Sequence, residues 1–120
     1  MQITAAELQA YRQALEGIPG AIAVLNTIAD CEGDLEDAAI TIALQVGQEP
    51  DESDGWVQSV AKRWRHVICH PDLKPVVTAS KLAALVTQLG ERTTLPTPLA
   101  ILVAIVVIKT GGDTFCAAFW

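Results

Sequence analysis

Basic residues are what the chain most visibly lacks: between Arg12 and Lys62 there is not one lysine or arginine. With 8 bases against 14 acids the formal net charge is −6, which excludes a nucleic-acid binder working by bulk positive charge. Aromatic side chains make up only 5% of the 120 residues, too few for a stacking platform or an aromatic-rich sheet. The 3 cysteines, Cys31, Cys69 and Cys116, are odd in number and far apart with no CxxC pair, so no disulfide framework is expected. The opening MQITAAELQAYRQALEG has no basic segment followed by an apolar one. A secretory signal is therefore not expected, and a cytoplasmic location is the default. Long hydrophobic runs are missing too. Leu95 to Ile108 spans about fourteen residues, short of the ~20 a spanning helix needs, so a membrane contact is not expected.

What is present is apolar and small. Hydrophobic residues reach 51%, 18 of them alanines, while charged residues stand at 18% against a typical ~25%. That excludes a disordered chain and points to close-packed helices in one domain over 1–120.

The punctuation divides the chain into helices. Thr4-x-x-Glu7 is a capping box, and the stripe Leu8, Tyr11, Leu15 and Ile18 follows it at three- and four-residue spacing. Gly17, Pro19 and Gly20 break that helix. A second runs from about Pro19 to Cys31 with Ile22, Leu25, Ile28 and Ala29 on one face. Asp34 caps a third, whose inward set is Leu35, Ala38, Ala39, Ile42 and Val46, and Gly47 closes it. After the acidic loop Gly47 to Gly55 comes a fourth helix burying Trp56, Val57, Val60, Trp64, Val67 and Ile68, which Pro71 ends at His70. A fifth is expected from about Pro75 to Leu89, stopped by Gly90, with Ala79, Leu82, Val86 and Leu89 inward.

The stretch Leu99 to Ile108 carries six β-branched residues and fits a central strand nearly as well as a helix. No second strong strand is available to pair with it, and a lone strand would leave its backbone groups unsatisfied. The expected fold is therefore all-α, a compact six-helix bundle whose sixth helix, about 98–109, is apolar all round and central. Residues 113–120 form an aromatic tail. Phe115, Phe119 and Trp120 either fold back over the core or dock into a partner, and folding back is the expectation.

Charge is segregated along the chain. Residues 1–61 hold 11 acids and 1 base, a charge of −10, whereas residues 62–120 hold 3 acids and 7 bases, a charge of +4. Acids at helix starts are individually favourable, which accounts for Asp34, Glu36, Asp37 and Asp54 but not for the long gap in bases. The two sets could neutralise each other inside the monomer, or act as opposite patches on different faces.

Catalytic and metal motifs are incomplete. His66 and His70 stand at i and i+4 with Cys69 beside them, the helix spacing of a two-imidazole metal site, yet Val67 occupies the position of the general base in HExxH. Asp30, Glu32 and Asp34 alternate like a calcium loop, but Leu35 and Thr41 stand where glycine and a bidentate glutamate are required. Ser59-x-x-Lys62 and Lys109-Thr110-Gly111 lack the intervening Ser-x-Asn element of the serine acyl enzymes. No catalytic residue and no cofactor is expected. The sequence reads as a non-catalytic protein–protein interaction module, an adaptor or regulatory domain whose partner is a protein, a second copy of the chain included. Lys62, Arg63 and Arg65 would act against Asp34, Glu36, Asp37, Asp51 and Asp54. The alternatives are a metal protein using His66, Cys69 and His70, and a membrane-associated protein using the apolar C-terminal third.

Overall fold

Local capping chemistry starts the chain's first helix. In the structure, a computed structural model describing residues 1–50 and 55–120, Thr4 accepts from the Glu7 amide at 3.1 Å while Glu7 accepts from the Thr4 amide at 2.9 Å. This reciprocal pair opens α1, Ala5–Ala14. The chain turns through Gly17, Pro19 and Gly20 into α2, Ala21–Asp30, and a short link leads to α3, Leu35–Gln45, capped by Asp34. The first residues strap across that link: Ile3 donates to the Gly33 carbonyl and Leu35 to the Met1 carbonyl, around an isolated antiparallel bridge between Gln2 and Asp34.

Gly33 shows why the strap needs a glycine. Its φ is +83°, and a Cβ there would run into the Ile3 carbonyl. Gly33→Ala should therefore destabilise the fold by more than about 2 kcal/mol. Gly90, mid-helix and open to solvent with nothing within 4 Å of a Cβ, gives the opposite sign. Gly90→Ala should add about 0.5–1 kcal/mol. Urea midpoints of the two variants, moving in opposite directions, check both.

The second half departs from the expected boundaries. The helix placed from Trp56 to His70 is two pieces, α4 (Trp56–Arg63) and α5 (Arg65–Ile68), divided at Trp64, whose φ of −101° and ψ of 13° leave the helical region. The apolar spacing is the same on both sides of the break, so periodicity could not reveal it. The helix expected from Pro75 is instead a tight turn at Pro71–Val76, a second at Ala79–Lys81, and then α6, Leu82–Arg92. Pro71 and Pro75 each lack an amide hydrogen, which leaves this stretch to shorter i→i+3 bonding. Gly90 does not stop α6, which runs on to Arg92. Among the described residues there are eight α-helices and two short tight-turn helices, so the count of six is replaced by a finer division of the same all-helical architecture.

Leu99 to Ile108 is helical. It forms most of α7, Thr97–Thr110, with every residue from Leu99 to Val107 buried. This helix packs against α2, α3, α4 and α6, and against the short α8, Gly112–Phe115, that follows it. Being apolar on all sides, it has no face to give to solvent. The core gathered around it extends from Ile3 to Cys116. No helix among the described residues is long and apolar enough to cross a membrane.

The tail turns back through Phe115 and Trp120, whereas Phe119 stays 50% exposed, and its fastening is one the sequence does not suggest. Cys69 and Cys116 form a disulfide, correcting the expectation of unpaired cysteines. Phe115 is buried beside it, and the Trp120 indole nitrogen donates to the Cys69 carbonyl at 3.0 Å. The Lys74 ammonium lies 5.0 Å from the Trp120 ring centre.

Candidate functional site

The acidic residues singled out by sequence do different jobs at the start of α3. Asp34 is the N-cap and accepts from the Asp37 amide at 3.2 Å. Glu36 turns inward, accepting from the Met1 ammonium at 2.7 Å and from the Gln58 amide at 2.8 Å. Those two bonds, the ammonium first, hold its carboxyl below the ordinary glutamate range. Asp37 is exposed, as are Asp30 and Glu32 around the α2–α3 link. Asp51 and Asp54 lie outside the described residues. Cys31 sits half-buried at this corner, where burial, and then Asp37, Asp34 and Asp30, push its thiol above the ordinary value. A thiol so placed is a poor nucleophile at neutral pH.

The basic residues separate likewise. Lys62 and Arg63 are exposed in the last turn of α4, where the helix dipole favours cations. Arg65, one residue beyond the break at Trp64, is half-buried with its guanidinium 4.8 Å from the Phe115 ring centre. It therefore props the tail as much as it faces solvent. Among the described residues, none of the three pairs with a carboxylate.

One ion pair does join the acidic and basic halves. Lys109, at the end of α7, binds both Glu7 carboxylate oxygens at 2.6 and 2.7 Å. Lysine first, then the Thr4 amide, holds the Glu7 carboxyl below its ordinary value of 4.5. A carboxyl lowered in the folded state contributes stability at neutral pH that is lost as the pH falls through its folded value. Urea midpoints measured from pH 7 down to pH 3 should decline on the acid limb, and Glu7→Gln should make that limb shallower. An unchanged limb would show that the pair carries no stability.

The histidine cluster does not assemble as a ligand set. Cys69 sulfur is bonded to Cys116, which removes its thiolate. His66 stacks on Trp64 with ring centres 6.0 Å apart. His70 caps the turn at Pro71–Val76, its Nδ1 accepting from the Asp72 amide at 3.1 Å. The same nitrogen lies 3.6 Å from the Asp72 carboxylate, so His70 is engaged locally with the turn that it caps. Among the described residues, no three His, Cys, Asp or Glu side chains are grouped to hold a metal ion.

Two concavities went unnoticed in the sequence. Trp56 and Trp64, expected in the core, are half-buried and line a cleft of about 210 Å³ with Glu49, Arg63 and Leu95. The larger is an apolar groove of about 570 Å³ at the α1–α2 corner, with Leu15, Ile18, Ile22 and Leu25 in its lining and Arg12 and Glu16 beside them. The sequence spacing puts Ile22 on the inward face of α2. That face is instead Ala21, Val24, Leu25 and Ile28, leaving Ile22 74% exposed. The alternative stripe at positions 21, 24 and 28 was the signal available.

No family model matches the chain, nor does any curated protein or solved structure.

Proposed function

We propose that the chain is a non-catalytic protein–protein interaction module, acting as an adaptor or regulatory domain through two oppositely charged surfaces. The observation that carries this reading is the exposure of Asp30, Glu32 and Asp37 at the α2–α3 corner and of Lys62 and Arg63 at the end of α4, with no ion pair between the two sets among the described residues. Charges left to solvent in this way steer encounter and fix register more than they stabilise the monomer. Asp34, Glu36 and Arg65 stand behind them, ordering α3, the Met1 end and the tail. The acidic surface of one molecule is complementary to the basic surface of another, and equally to those of a different protein of matching polarity.

The buried disulfide bears on where such a module works. Disulfides persist in oxidising surroundings and are rare in a reducing cytosol, which weighs against the cytoplasmic expectation. We place the module in an oxidising environment.

Light scattering across a salt series tests the charged surfaces. Screening shortens from roughly 30 Å at 0.01 M to about 3 Å at 1 M salt. The mass should therefore exceed that of a monomer at low salt and fall to it at high salt. Lys62→Glu with Arg63→Glu should remain monomeric throughout. A flat series, identical for parent and variant, would mean that these charges merely solvate the protein.

A further inference from the structure

The groove at the α1–α2 corner has the size and the walls of a small-ligand site. Its volume of about 570 Å³ falls within the range usual for such sites, and its walls are aliphatic. Leu15, Ala21 and Leu25 form the buried floor, Ile18 is half-buried, and Ile22 borders the groove with 74% exposure. Gly17 and Gly20, with φ of +85° and +81° on either side of Pro19, turn the chain here. The end of α1 and the start of α2 thereby line one concavity.

The lining carries one charge of each sign. Arg12 is half-buried on α1, and Glu16, four residues on, is exposed. Because α1 ends at Ala14, Glu16 lies off the helix, and the two do not pair with each other. Among the described residues neither forms an ion pair elsewhere. An apolar cation in the groove would be repelled by Arg12, and an apolar anion by Glu16. A neutral apolar body would desolvate both charges without pairing either. We infer that the groove binds a short hydrophobic peptide of two or three residues with both ends free. Its terminal carboxylate meets the planar fork of Arg12, and its terminal ammonium donates to the Glu16 carboxylate. Its aliphatic side chains cover Ile18 and Ile22 and rest on Leu15 and Leu25. A single amino acid would fill only a fraction of this volume and holds both charges on one carbon. A peptide separates them, as two lining charges that do not meet require. The site is distinct from the charged surfaces of α3 and α4 and adds a small ligand to the interaction-module reading.

The test titrates the full chain with dileucine, followed by amide NMR shifts and calorimetry. Dileucine should bind with a dissociation constant of roughly 0.1–1 mM and move the Gly17, Gly20 and Ile22 resonances. N-acetyl-dileucine lacks the ammonium and dileucine amide lacks the carboxylate, so each should bind about tenfold more weakly. Free leucine should also bind more weakly than dileucine. Arg12→Gln should weaken dileucine about tenfold and make it equal to its amide. Glu16→Gln should likewise make dileucine equal to its N-acetyl form. Circular dichroism confirms the fold of each variant, and the capped peptides test the parent chain with no variant needed. Lys62→Glu with Arg63→Glu should bind dileucine like the parent, which separates failure of the groove from failure of the charged surfaces. Any of four results overturns the inference. These are no shift at the three resonances up to about 10 mM dileucine, capped and free dileucine binding equally, free leucine binding as tightly as dileucine, and variants that weaken every peptide alike.

Discussion

Removing the Cys69–Cys116 disulfide should cost about 4 kcal/mol, the loop-closure value for a cross-link of this span. The two cysteines are 47 residues apart, so the bond restricts a long loop in the unfolded chain. For a domain of this size the loss corresponds to a melting point lower by about 15 °C. Two further groups depend on the same clasp. Phe115 is buried next to it, and Trp120 donates to the Cys69 carbonyl. Neither requires the disulfide chemically, so the reduced tail should stay docked by residues 115 and 120 but fray more readily. Cys69→Ala with Cys116→Ala should reproduce the reduced protein, while either single change leaves a buried thiol without its partner. Both sulfurs are shielded, so reduction in the native state should be slow and should speed up sharply once denaturant opens the fold. Denaturant midpoints of oxidised and reduced protein, with free thiols counted before and after unfolding, give the answer. Equal midpoints would mean that the tail is held by packing alone.

That clasp also shows where the sequence stops being informative. Helix caps are local, so Thr4 with Glu7 and Asp34 with Asp37 could be recognised from residue spacing. The α7 helix was legible for a different reason, since ten consecutive apolar residues with no strand partner can bury their backbone only as a helix. The disulfide depends on the path from α5 through α7 and α8, and no spacing rule connects residues 69 and 116 before the fold is known. The break at Trp64 was hidden because apolar periodicity continues across it. Charge segregation was plain along the chain, yet its division of labour was not. Glu36 and Arg65 belong to the same runs as Asp37 and Arg63, but contacts with Met1, Gln58 and Phe115 draw them inward. Spacing alone puts Ile22 inward because two overlapping stripes on α2 both contain Leu25 and Ile28, and only the packing against α1, α3 and α7 selects between them.

Leu102→Ala should destabilise the protein by about 3–5 kcal/mol, at the upper end for a core truncation. Leu102 is fully buried at the middle of α7, a helix enclosed by α2, α3, α4 and α6. A cavity opened there can be filled only if several helices move together, so relaxation should recover little of the loss. Leu44→Ala, the same chemical change on an exposed side chain, should cost no more than about 0.5 kcal/mol. The pair separates the enclosed scaffold from the solvent-facing surface. With folded protein in excess, Leu102→Ala should leave the salt dependence of association unchanged, because Lys62, Arg63 and Asp37 keep their places on the outer helices. Leu44→Ala should spare stability, because its side chain is 63% exposed and leaves no cavity behind. Chemical denaturation and calorimetry on both variants measure the two effects independently. A small loss for Leu102→Ala would mean that α7 can repack against its neighbours, and the enclosed central helix would then not be the rigid support of the surfaces around it.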